Sequence, residues 1–348
     1  MTAGSAIAAA LLAALLFGAS TPFAKVLVGD VSPTLLAGLL YLGSGLGLWA
    51  IRLLRARGRA VPHLPLQEWP WLLGAIAAGG VVAPVLLMYG LTQTSASSAS
   101  LLLNLETTLT ALIAWVVFRE NADARIVLGV VLIVAGGAVL AWTQAQIGQS
   151  TLRGAAFIAA ACLFWAVDNN LTRKVSSADA DFIAATKGLA AGITNLMIAL
   201  MLGATWPTPV LVLSAMTVGL FGYGLSLVLF VLALRGLGSA RTGAYFSIAP
   251  FLGAAIALIA LHEPTPTGFW LSACLMAAGV VLHLTERHVH EHIHDPVDHG
   301  HSHMHDVHHR HAHNFSWDGT EPHVHEHHHE ELVHDHPHYP DTHHRHRH

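Results

Sequence analysis

Residues 109–120 read LTALIAWVVFRE, and residues 252–263 read LGAAIALIALHE. Each is an apolar run that opens on leucine and closes on a glutamate, Glu120 or Glu263. Working outward from this pair, Ala135-Gly136 aligns with Ala278-Gly279, and Leu16-Phe17-Gly18-Ala19 with Leu163-Phe164-Trp165-Ala166. The chain thus carries one unit twice. A helix needs about 20 mostly apolar residues to cross a bilayer core. Ten such runs follow one another, near 7–27, 33–53, 71–89, 97–117, 126–142, 154–171, 182–202, 210–233, 240–261 and 268–284. Five fall in each copy, and an odd number of spans inserts the second copy upside down relative to the first. The expected fold is an all-α membrane protein of about ten transmembrane helices, built as two inverted five-helix repeats (residues 1–143 and 144–285) and followed by a disordered tail (286–348).

Composition supports this division. Of 348 residues 53% are hydrophobic and 11% charged, against about 25% charged in a soluble domain, which excludes an ordinary water-soluble fold. Glycine-rich stretches inside the spans, such as Gly43, Gly45 and Gly47 or Gly129, Gly136 and Gly137, permit close helix approach. Three of the 27 histidines (His63, His262 and His283) precede Glu286, and the other twenty-four follow it. Cys162 and Cys274 each sit in an apolar run, which gives neither a disulfide framework nor a thiolate metal site. No Lys or Arg precedes Lys25, so the apolar start lacks the basic region of a signal peptide and is read as a retained helix.

Short loops rich in Lys and Arg favour the cytoplasmic face. Arg52, Arg55, Arg57, Arg59, Arg119, Arg125, Arg173, Lys174, Arg235 and Arg241 all fall on one side of the expected topology, while Lys25 and Arg153 fall on the other. With an even number of helices, both termini and the tail are expected in the cytoplasm, in a bacterial-type plasma (inner) membrane.

Three segments carry a family likeness: Phe17-Gly18-Ala19-Ser20 through Lys25, Asn104-Leu105-Glu106 leading to Glu120, and Ala249-Pro250 leading to Glu263. From residue 7 to 284 the chain resembles the EamA-type proteins of the drug/metabolite transporter superfamily. That resemblance implies two five-helix repeats and export or import of small organic molecules. The family often places a basic residue in the second helix of a repeat. Lys187 fits in the second half, whereas Leu40 holds the equivalent place in the first. The family's Glu-Pro pair is divided here, Glu106-Thr107 in one half and Ala249-Pro250 in the other.

Ionisable groups at membrane depth are costly, which makes Glu106, Asp168 and Lys187 candidates for the transport pathway. Asp168 and Lys187 lie at similar depth, and a structural ion pair is the competing explanation. Asn104 is either a pathway residue or interhelical glue. Helix breakers at equivalent places of inverted repeats expose backbone to a central cavity, so Gly79 and Gly222 join the candidates, with close packing as their alternative. Pro22 and Pro250 add expected kinks. Glu120 and Glu263 are read as solvated charges at helix ends.

The tail alternates histidine with other residues, and successive imidazoles of an extended chain turn to one side. The expected metal ligands are His288, His290, His292, His294, His299, His301, His303, His305, His308, His309, His311, His313, His323, His325, His327, His328, His329, His334, His336 and His338. Neutral imidazole suits Zn, Ni, Co and Cu ions, and nearby Asp295, Asp306, Glu326 and Asp335 add oxygen ligands. Few apolar residues are available to form a core there.

No cofactor is required and no nucleotide-binding loop is present, so a secondary transporter is expected. The tail favours export of a divalent transition-metal ion (Ni, Co or Zn). The span residues, which hold no cluster of ligands, favour export of amino acids or other small organic metabolites, with the tail as buffer or regulator. A third reading makes the helices a mere anchor for a metal store, although one helix would serve that purpose. The lipid bilayer is the expected partner, nucleic acid is not, and homo-oligomerisation is left open.

Overall fold

A computed structural model describes residues 3–55, 64–118, 124–175 and 180–284 of the body. In the tail it describes residues 291–294, 297–303, 323–329 and 332–335. The chain divides into two compact units, Met1–Thr285 and Glu286–His348.

The described residues of the first unit are helical. In the first repeat, α1 (Ala3–Leu27) and α2 (Pro33–Arg55) are followed by α3 (Trp69–Ala75). A π-helical segment (Ile76–Val82) then joins α3 to α4 (Ala83–Gln93), and α5 (Ala96–Leu102), α6 (Asn104–Phe118) and α7 (Ala124–Ile147) complete the repeat. The second repeat follows the same plan with α8 (Gln149–Thr172), α9 (Ala180–Met201), α10 (Pro209–Gly219), a π-helical segment (Leu220–Leu225), α11 (Ser226–Leu237), α12 (Ser239–Phe246), α13 (Ala249–Leu261) and α14 (Thr267–Leu284). Nine of these helices or helix pairs are long and apolar enough to cross a membrane, and Thr267–His283 is a shorter apolar helix, all among the described residues. The ten expected spans are therefore all helical, the last of them short.

Local signals account for the ends. Pro33 and Pro209 open helices at the first position, where the missing N–H is not needed. Ser95 caps α5 by accepting the Ser98 N–H at 3.2 Å. His262 (φ +51°) takes the left-handed conformation that stops α13, and Gly203 (φ +80°) and Gly238 (φ +79°) take positive φ just after α9 and α11.

The two repeats pack as a pseudo-symmetric pair. Helix α2 lies on its counterpart α9, and α7 on its counterpart α14. The α4–α8 and α6–α8 contacts return as α11–α1 and α13–α1. In lipid, helices associate through close packing rather than the hydrophobic effect. The α2–α9 crossing shows how this is met: a Cβ on Gly188 would lie 2.8 Å from the Gly45 Cα.

The symmetry fails in one respect: α5 packs against α1 and α13, whereas its counterpart α12 has no comparable packing against α8 or α6 among the described residues. Among the described residues the bundle is packed more fully around α5 than around α12.

The described tail segments form two antiparallel strand pairs, β1 (Glu291–His294) with β4 (Leu332–Asp335) and β2 (Val297–His303) with β3 (His323–His329). His299, His301 and His303 stand opposite His327, His325 and His323, and His292 stands opposite His334. The expected ligands His288, His290, His305, His308, His309, His311, His313, His336 and His338 lie outside the described residues.

Candidate functional site

The two π-helical segments occupy equivalent places in the third span of each repeat. A π turn shifts the hydrogen-bond ladder by one residue and is frequent at functional sites. In the first repeat the Gly79 carbonyl accepts both the Tyr41 hydroxyl at 2.9 Å and the Trp165 indole N–H at 2.9 Å. Asn195 donates to the neighbouring Gly80 carbonyl at 3.0 Å. The irregular turn thereby fixes two aromatic side chains from two other helices.

Those aromatics wall a cavity of about 470 Å³, lined by residues that include Phe17, Tyr41, Ser44, Glu106, Trp165, Asp168, Asn169, Thr172, Lys187, Tyr223, Phe230 and Phe246. Five of the rings form a chain across one side. The centroid separations are 5.7 Å for Tyr41–Tyr223, 6.1 Å for Tyr223–Phe17, 5.3 Å for Phe17–Phe246 and 4.8 Å for Phe246–Phe230. Cavity residues lie on the second half of α8, the first third of α9 and the second half of the α10–α11 span. The cavity therefore occupies the bundle from its middle toward the face that carries Arg52, Lys174 and Arg241, the face at which α12 lies.

The other side is polar. Lys187 Nζ lies 2.5 Å from Asp168 Oδ1, with 17% and 9% of the two side chains exposed, so the expected cross-helix ion pair is present. The Thr172 hydroxyl donates to Asp168 Oδ1 at 2.9 Å and accepts from Lys187 at 3.1 Å, completing a triad. Glu106 lies in the first turn of α6, just past the break at Leu103 that separates α6 from α5. Such a position suits a carboxylate because helix N-termini are electropositive. Asn169 donates to Glu106 Oε1 at 3.0 Å, and no cation lies within ion-pair distance of Glu106 among the described residues.

Among the candidates, the structure brings Glu106, Asp168 and Lys187 together on the cavity wall. Asn104 is not on that wall: it is buried, and its amide donates to the Leu101 carbonyl at 2.9 Å and faces Met276 Sδ. Its environment is that of a residue stitching the α5–α6 break. Gly79 and Gly222 lie in the π segments, and a Cβ on Gly79 would collide with the Asp168 carboxylate. The expected open backbone at Gly79 is in fact occupied by Tyr41 and Trp165. Pro22 lies inside α1 and Pro250 in the first turn of α13, and neither lines the cavity. Sequence reasoning passed over the aromatic wall, because single aromatic residues spread over five helices leave no local pattern.

Repeat alignment shows that the site is asymmetric although the fold is not. Gly18 stands at the place of Trp165, Gly188 at that of Tyr41, Gly80 at that of Tyr223, Leu40 at that of Lys187 and Ala249 at that of Glu106. A bulky or charged residue on the cavity wall thus has a small or apolar residue as its repeat counterpart. No group of three or more His, Cys, Asp or Glu side chains among the described residues is placed to hold a metal ion.

An inverted repeat of membrane-spanning helices around a cavity at their pseudo-symmetric centre defines a multi-pass transporter. The comparisons with known proteins specify which kind. The EamA-like transporter family matches residues 4–142 and 152–285, one match per repeat, and the chain belongs to that family. An uncharacterized transporter of Methanothermobacter thermautotrophicus is 30% identical over 287 residues, covering 78% of this chain and 83% of that relative. A solved crystal structure, described only as that of a protein, superposes with a TM-score of 0.59 at 20% identity, over 79% of this chain and 97% of the other. At that identity it supports the fold alone.

Proposed function

We propose that the protein is a secondary exporter of a small organic metabolite carrying an ammonium group, such as an amino acid or amine. The observation that carries this reading is the cavity itself: a chain of aromatic rings opposite Glu106, a carboxylate whose described partner is the neutral Asn169. Aromatic faces attract cations, and a carboxylate at membrane depth is retained for a charged partner or for function. The volume of about 470 Å³ falls in the range of small-molecule sites. Lys187, held by Asp168 and Thr172, offers a cation for a carboxylate on the same solute. The basic loops support a cavity mouth on the cytoplasmic side, and in this reading both termini share that side of a bacterial-type inner membrane and the solute is loaded from inside.

A second reading, export of Ni, Co or Zn, is favoured by the tail. Strand register sets histidine opposite histidine at four positions. Imidazole suits divalent transition metals, and the tail then serves as a metal buffer or sensor. The span residues supply no matching ligand set, which ranks this reading second.

Uptake into inside-out vesicles distinguishes the two. Radiolabelled amino acids and amines should accumulate, and Glu106→Gln should abolish the accumulation while the protein remains in the membrane. Accumulation of Ni, Co or Zn that is indifferent to Glu106→Gln, with no organic solute moved, would transfer the function to the metal reading.

A further inference from the structure

The two faces of the bundle are closed by unequal chemistry. At the face away from the basic loops, the turn between α4 and α5 is held from three other parts of the fold. Lys25, near the end of α1, donates to the Leu91 carbonyl at 2.5 Å and the Thr94 carbonyl at 2.9 Å. Glu263, just beyond α13, accepts the Ala96 N–H at 2.7 Å through one carboxylate oxygen and the Ser97 N–H at 2.8 Å through the other. Gln144 of α7 donates to the Ser98 hydroxyl at 2.8 Å, and its amide oxygen accepts from the Thr94 hydroxyl at 3.4 Å. The Lys25 and Glu263 charges also attract each other across the turn. Beneath this turn the seam is tight. A Cβ on Gly253 of α13 would lie 2.6 Å from the Gly18 carbonyl and 2.9 Å from the Ser100 hydroxyl, so α1, α5 and α13 meet almost at the backbone.

At the basic face the Lys25 part of this fastening has no counterpart among the described residues, and Glu120, which aligns with Glu263, lies outside them. Repeat alignment places Thr172 at the position of Lys25, and Thr172 is engaged with Asp168 and Lys187 on the cavity wall. The turn between α11 and α12 is formed by Gly238 at positive φ (+79°), and among the described residues α12 packs on α1 and α11 but not on α6 or α8 as α5 packs on α13 and α1. In an inverted repeat the opposite-facing state is reached by exchanging the conformations of the two halves. The seam at α5, α1 and α13 must then part while α12 closes on its own neighbours.

We propose that Lys25 and Glu263, assisted by Gln144, form a latch that holds the far face shut and biases the resting protein toward the state open at the basic face. The latch lies away from the cavity and acts whichever solute is carried. The Lys25 and Glu263 bonds join ionised groups to main-chain dipoles, and charge-assisted bonds are about twice as strong as neutral ones. Its loss therefore shifts the balance between the two states rather than the affinity of the site.

The test uses two single-cysteine reporters, with Cys162→Ala and Cys274→Ser as background, in the full-length protein in membranes. Ser100→Cys marks the closed seam and Ser44→Cys marks the cavity. Each is labelled with a membrane-impermeant maleimide applied from either side. With the latch intact, Ser44→Cys should react from the basic-face side and Ser100→Cys only slowly. Adding Glu263→Gln or Lys25→Met should raise Ser100→Cys labelling from the far side by about tenfold, the effect of losing one hydrogen bond to a charged group, and should lower Ser44→Cys labelling. Opposite movement of the reporters separates a shift between states from unfolding, which would expose both. Unchanged labelling of both, or a rise in both, would overturn the latch.

Discussion

The Asp168–Lys187 pair gives the sharpest quantitative expectation. Removing one partner of a buried ion pair leaves an uncompensated charge and costs about 3–5 kcal/mol. Two features place this pair at the lower end. Its side chains are 17% and 9% exposed toward a cavity, and Thr172 would remain as a hydrogen-bond partner for the survivor. Asp168→Asn and Lys187→Met should therefore each lower stability by about 3 kcal/mol. Independent residues would give about 6 kcal/mol for the double variant, whereas a true pair should leave it no worse than either single, a coupling of about 3 kcal/mol. Equilibrium unfolding in mixed detergent micelles, followed by tryptophan fluorescence, measures all corners of the cycle. A double variant that loses the full additive amount would refute the pairing argument, because the two charges would then be stabilised separately.

Further outcomes follow from the same geometry. Gly79→Ala places a Cβ against the Asp168 carboxylate and should reduce transport at least tenfold by displacing the triad, measured as vesicle uptake per inserted molecule; uptake equal to the parent would show that the π turn yields freely. Trp165→Phe removes one of two donors to the Gly79 carbonyl and should cost about 1 kcal/mol in the same unfolding assay. Deleting everything after Arg287 should leave a folded, inserted transporter, as read by size-exclusion profile in mild detergent, because the family match ends at residue 285. Metal bound by the full chain should decline as pH falls below about 6.5, since imidazolium cannot ligate, and be retained above it; equilibrium dialysis with Ni or Zn across that range would show binding independent of pH if carboxylates carry the site instead.

Much of the fold was readable because bilayer crossing imposes a length and the repeat imposes a count. The ion pair was readable too, since Asp168 and Lys187 could be placed at one depth from the ends of α8 and α9. What escaped the reading has a common physical origin. In spans that are apolar on every side, periodicity carries no signal. The π turns at Ile76–Val82 and Leu220–Leu225 and the breaks at Leu103 and at Ser247–Ile248 therefore leave no mark beyond scattered glycines. Glu263 was read as a solvated charge because sequence shows its place at a helix end but not the Ala96 and Ser97 N–H groups that reach it from another repeat.

The same limit explains why the site looked weaker in sequence than it is in three dimensions. Aligning the repeats exposes mismatches, of which Leu40 for Lys187 and Ala249 for Glu106 read as departures from the family pattern, while Gly188 for Tyr41 and Gly18 for Trp165 carry no signal of their own in sequence. In the bundle these mismatches are the construction of the cavity. Two identical halves would place like residues on both sides of the axis, either two bulky aromatics competing for one space or two carboxylates facing each other, and like charges in low dielectric repel strongly. Glycine, leucine or alanine in one half leaves Tyr41, Trp165, Lys187 and the Glu106 carboxylate each without a twin. Divergence between the repeats is therefore itself evidence for where the solute binds. It concentrates at the cavity wall, while the α2–α9 and α7–α14 crossings keep glycine at equivalent places of both repeats, Gly45 and Gly192 in the one and Gly136 and Gly279 in the other.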